Sequence, residues 1–83
     1  MGNKTWKLQQ ALHRLKAFED ILDVPGGGVL YTRRGHRGKL SLWAAFNRDG
    51  VRVENDYPLT LQGLRSAFKA MDPNNDYSYT IRQ

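Results

Sequence analysis

Between Arg33 and Lys39 the chain reads Arg-Arg-Gly-His-Arg-Gly-Lys, four permanent cations and one imidazole in seven residues. Guanidinium forks match the spacing of phosphate oxygens and grip them bidentately, and an ammonium adds a compact point charge. The glycines let backbone approach a phosphate closely. Tyr31 and Trp43 flank the run, and Arg48 and Arg52 follow it. Aromatic rings beside a cationic groove can stack on bases or sugars. The residues expected to make nucleic-acid contacts are therefore Arg33, Arg34, His36, Arg37, Lys39, Arg48 and Arg52 on phosphates, with Trp43 as the stacking or wedging ring. The same run also fits a solvated connecting loop whose charges give solubility alone.

Other chemistry finds little footing. The chain has 83 residues, no cysteine and two histidines, His13 and His36. Disulfides and thiolate metal sites are thus excluded. Ser41, Ser66 and Ser78 stand in no nucleophile elbow and beside no base. Asp72, Asn74, Asp76 and Ser78 place oxygens where a calcium loop has its first, third, fifth and seventh ligands. That pattern needs glycine at the sixth position and a bidentate glutamate at the twelfth, and the chain has Tyr77 and Gln83. Gly26-Gly27-Gly28 leads into a strand pattern, whereas a phosphate loop leads into a helix. The expectation is a non-enzymatic protein without metal or cofactor.

These residues must be held by a scaffold, and its clearest element is Lys39–Asp56. Leu40, Leu42, Ala44 and Phe46 alternate with Ser41, Trp43, Ala45 and Asn47, and Val51 and Val53 alternate with Arg52 and Glu54. That period of two predicts a β-hairpin with one face on a core. Asn47-Arg48-Asp49-Gly50 supplies turn chemistry and predicts a short bulged loop.

Upstream, Leu8, Ala11, Leu12, Leu15, Phe18 and Leu22 form one apolar stripe at helical spacing, predicting a helix over 5–23. Asn3 or Thr5 is the expected N-cap. Val24-Pro25-Gly26-Gly27-Gly28 is expected to end it. The acids Glu19, Asp20 and Asp23 then fall at the unfavourable end of the helix dipole, without a local reason. Val29–Arg34 reads as a strand. Thr60 is the expected N-cap of a second helix carrying Leu61, Leu64, Ala67, Phe68 and Met71, which Asp72-Pro73-Asn74-Asn75 stops. Tyr77–Arg82 alternates and reads as a last strand.

The predicted class is a single α+β domain over 1–83, a two-layer sandwich of order α-β-β-β-α-β. Two helices cover one face of a small antiparallel sheet. The other face then carries Ser41, Trp43, Ala45, Arg52 and Glu54, and a large aromatic on an open face marks a contact surface.

Net charge is +5 and gathers in the middle, with six cations against three acids over 25–58. Such a balance favours acidic partners, nucleic acid of either kind or an acidic protein surface. The longest apolar run is Leu42–Phe46, far below the roughly 20 residues of a membrane helix. No membrane partner, secretory leader or myristoylation pattern is expected, so the expected place is the cytoplasm.

The order α-β-β-β-α over 5–71 resembles that of double-stranded RNA-binding domains. Those open their second helix with a lysine cluster, and the matching place here reads Leu61-Gln62-Gly63-Leu64-Arg65 with one cation. Three strands and a helix over 29–71 also resemble the arm-binding domains of phage-type integrases. Both resemblances imply a nucleic-acid module. The alternative is a protein–protein interaction module, a small phage or mobile-element type of protein that docks on a host protein or forms a homodimer through its open face or edge strands.

Overall fold

A computed structural model describes residues 3–74 and 76–83, with backbone alone for Asn3 and Lys4. The elements are α1 (Asn3–Phe18), β1 (Leu22–Val24), β2 (Gly28–Arg34), β3 (Leu40–Arg48), β4 (Val51–Tyr57), α2 (Leu61–Met71) and β5 (Thr80–Ile81). The strands form one antiparallel sheet in the order β4-β3-β2-β1-β5. Both helices lie on one face of it, and the α+β class is the one expected.

The core is built from one parity of the sheet. Leu22, Leu30, Leu42 and Ala44 point at Leu8, Ala11 and Leu15 of α1 and at Leu64, Ala67 and Phe68 of α2, all fully buried. Phe46 is buried on the same side of β3. The alternation read in Leu40–Phe46 is therefore the alternation found, and Trp43 belongs to the outer face.

The first helix is shorter than its apolar stripe suggests. It stops at Phe18 because Glu19 turns left-handed, at φ 52°, with its N–H donating to the Leu15 carbonyl at 3.1 Å. That is a helix end in the αL form, made without the usual glycine. Leu22 then belongs to a strand, and Phe18, expected in the core, is 56% exposed. The Arg14 guanidinium lies 4.6 Å from the Phe18 ring centre. Thr5 sits inside the first turn and is not the cap, and the Asn3 side chain lies outside the described residues.

Val24–Gly28 turns one strand into the next instead of ending a helix. Gly27 N–H donates to the Val24 carbonyl at 3.1 Å, Pro25 occupies the second position, and Gly26 has φ 98°. This is a type II turn, whose third position favours glycine. The extra strand makes the order α-β-β-β-β-α-β. It departs from the α-β-β-β-α order that carried the likeness to RNA-binding domains.

The central hairpin is tighter than expected. Arg48 pairs directly with Val51, leaving the two-residue loop Asp49-Gly50 with φ 53° and 80°. Positive φ at both positions makes a type I′ turn, which matches strand twist without a bulge. Asn47 and Arg48 are therefore strand residues.

The second helix follows its signals. Thr60 Oγ1 accepts from Gly63 N–H at 3.0 Å. Gly63 is also where the Pro58 carbonyl presses against the first turn, leaving no room for a side chain. Asp72 N–H donates to the Phe68 carbonyl, and Asp72 Oδ1 accepts from Asn74 N–H, closing the helix with a local turn. Asn75, the fourth residue of the expected stop, lies outside the described residues.

The last strand shrinks to Thr80–Ile81. Tyr77, expected to start it, is left-handed at φ 63° and packs its buried ring edge-on to Phe68 at 5.4 Å. A side chain seated in the core holds this residue out of the sheet. Among the described residues no helix is long and apolar enough to cross a membrane.

Candidate nucleic-acid interface

The β2–β3 connection is a small exposed tip. Gly35 N–H donates to the Lys39 carbonyl at 2.9 Å, and Gly38 N–H donates to the Gly35 carbonyl at 3.0 Å. Gly38 at φ 73° completes the reversal. His36, Arg37 and Lys39 stand on this tip, exposed. Arg37 and Lys39 enter no ion pair among the described residues.

The two arginines at the base of the tip are held differently. Arg34 points to the helix side. It donates to the Gly38 carbonyl at 2.7 Å and to Glu19 Oε2 at 2.7 Å, so it braces the tip from within and ties it to the end of α1. Arg33 lies on the outer face, with its guanidinium 4.1 Å from the Trp43 ring centre and 5.6 Å from that of Tyr31. Glu54 is 3.6 Å away.

The outer face is a linked layer. The Tyr31 hydroxyl donates to Glu54 Oε2 at 2.7 Å, spanning β3 from β2 to β4. Ala45 pairs with Val29 and Glu54 under that bridge and is 1% exposed, although it points away from the helices. The Trp43 indole N–H donates to Ser41 Oγ at 3.1 Å, and Ser41 donates to the Arg33 carbonyl at 3.4 Å. Trp43 is half-buried by these neighbours. Burial first, and the hydrogen bond to Glu54 second, push the Tyr31 hydroxyl above the usual phenolic range.

The remaining predicted residues are elsewhere. Arg48 donates to the Ala70 carbonyl at 3.0 Å and lies 5.4 Å from the Phe46 ring centre, on the helix side. Arg52 faces outward opposite Asn47. Seven residues of strand separate Leu40 from Asn47, roughly 24 Å. The structure thus gathers His36, Arg37 and Lys39 at one end, with Arg33 and Trp43 beside them. It leaves Arg48 and Arg52 at the other.

Charge on the outer face is balanced. Arg33, Arg52 and Arg82 are matched in number by Asp23, Glu54 and Asp56, with Arg33 paired to Glu54 and Arg82 to Asp23. Arg82 grips Asp23 with two hydrogen bonds of 2.5 and 3.1 Å, and this holds the Asp23 carboxyl below the usual carboxylate range. The tip is different. No acid occurs from Val24 to Arg48, so its cations have no acidic sequence neighbour.

Sequence reading missed the acids that organise this region. Glu19 pairs with Arg34, Asp20 with Arg14 at 2.7 Å, and Asp23 with Arg82. Each acid of the unexplained cluster meets a different arginine. Two of those arginines come from other strands or their ends, and no local pattern announces them. Among the described residues, no group of three or more histidines and acids gathers as a metal site would. Comparison with family models, curated proteins and solved structures gives no match.

Proposed function

We propose that this chain is a small nucleic-acid-binding module whose contact element is the Gly35–Lys39 tip. The observation that carries the reading is the pair Arg37 and Lys39, exposed beside His36 and without an ion-pair partner among the described residues. Long flexible cations on a rigid hairpin can reach phosphates without giving up any intramolecular bond. Arg34 serves by bracing the tip. Arg33 sits over Trp43 and presents the outer side of a planar guanidinium, on which an unstacked base can lie. Arg48 has no part in this contact, because it lies at the far end of β3 and its Nη2 donates to the Ala70 carbonyl of α2.

Binding of this kind releases counterions, so the logarithm of the affinity falls linearly with the logarithm of salt concentration. The test is fluorescence anisotropy of a labelled mixed-sequence duplex and single strand over a salt series. The expected result is binding at low salt, with a slope that falls by about two when Arg37→Ala and Lys39→Ala are combined. Absence of binding at low salt, or a slope indifferent to that double change, overturns the proposal.

A further inference from the structure

The strand at one edge of the sheet has a symmetry of its own. Among the described residues β4 pairs with β3 alone, and most of its residues are exposed. Such an edge presents a row of backbone donors and acceptors that another strand can complete. Natural edges are blunted by proline or by a run of like charge, and Val51–Tyr57 has neither. Its outward charges are of both signs, Arg52 toward one end and Glu54 and Asp56 after it.

Two of those charges are uncommitted. Arg52 and Asp56 enter no ion pair among the described residues, and they stand two residues either side of Glu54. Four strand residues apart, about 13 Å, they cannot reach one another within the chain. Glu54 is already occupied, its carboxylate drawn inward to the Tyr31 hydroxyl and Arg33. Beyond them, three residues either side of Glu54, are Val51, 62% exposed, and the half-buried Tyr57.

We infer that β4 is a homodimer edge, pairing antiparallel with β4 of a second copy about a two-fold axis at Glu54. This register sets Arg52 opposite Asp56 of the second copy, twice by symmetry, and Val51 opposite Tyr57. The two Glu54 side chains face each other across the axis, each held on its own sheet by the Tyr31 hydroxyl and by Arg33 at 3.6 Å. An isologous contact of this type is self-complementary and closed, and it joins two five-stranded sheets into one of ten strands. Opposite charges at facing positions stabilise such a pair, and like charges there oppose it.

Sedimentation equilibrium of the full chain without nucleic acid tests this independently of the tip reading. The expected result is a reversible monomer–dimer equilibrium. Arg52→Asp alone and Asp56→Arg alone each weaken the dimer about tenfold, by setting like charges opposite each other twice. The combined R52D/D56R chain, whose facing pairs are restored with reversed sign, regains the parent affinity within about threefold. Circular dichroism of the variants checks that the fold is unchanged. A monomer at every concentration overturns the inference, and so does a combined variant no tighter than the single ones, since only this register predicts rescue.

Discussion

The Arg34 guanidinium donates to Glu19 Oε2 at 2.7 Å, joining the last residue of β2 to the left-handed residue that ends α1. The same guanidinium holds the Gly38 carbonyl, so one side chain couples the helix end to the tip. Arg34→Ala is therefore expected to act on structure more than on phosphate. Both partners are about half-exposed, which limits the loss of stability to about 0.2–1 kcal/mol. Urea denaturation of the two single variants and the double Arg34→Ala, Glu19→Ala measures the coupling. The salt slope of nucleic-acid binding should change less for Arg34→Ala than for Arg37→Ala.

The Tyr31–Glu54 bridge closes over Ala45 because a methyl group leaves room beneath it. Ala45→Leu puts a branched side chain into that space. The expected cost is about 1–3 kcal/mol, read from the urea midpoint, as for other overpacked sites. Tyr31→Phe combined with Ala45→Leu should lose less than the sum of the two, because the bridge is then already broken.

Two ends of the pH range test two different pairs. Tyr31 ionises later in the folded chain than in the unfolded one, so its contribution is complete below the ordinary phenol value. That contribution is lost as pH rises through the raised one. Asp23 ionises earlier when folded, because Arg82 donates to it. Its contribution is present above the ordinary carboxylate value and is lost as pH falls through the lowered one. In urea midpoints followed across pH, Tyr31→Phe should reduce the alkaline fall and leave the acid one. Asp23→Asn should do the opposite. Some alkaline fall should remain in Tyr31→Phe, since burial also raises the Tyr79 hydroxyl.

Neighbouring residues on β3 separate the two faces. Leu42 is fully buried against the helices, and Leu42→Ala should cost about 2–5 kcal/mol and lower the melting temperature sharply. Trp43→Ala removes a larger side chain from a half-buried site on the outer face and should cost less. If the indole removal proved the more damaging in a thermal melt followed by circular dichroism, the two faces of the sheet would be the reverse of those given.

Much of this fold is written in local pattern. Leu40, Leu42, Ala44 and Phe46 recur at every second position, and Thr60 caps at the distance its side chain can reach, so β3 and α2 are legible from residue order alone. The first strand is not. Leu22 continues the helical spacing of Leu8, Ala11 and Leu15, and the residue that ends the helix is a glutamate, which carries no stop signal. Tyr77 reads as a strand former because aromatic residues favour strands, while its packing on Phe68 is a tertiary matter. The candidate site divides the same way. The cations at 33–39 are visible in sequence, but their division into braces and free groups depends on Glu19 and Glu54, 15 and 21 residues from their arginines.

With Arg33 seated against Trp43, the indole is already occupied by a tethered cation, so an incoming flat ligand competes with a resident that never diffuses away. A ligand taking that same position must displace the guanidinium, which also stands 3.6 Å from Glu54. Under the proposed reading, a flat ligand that rests on the guanidinium itself leaves that resident pair in place.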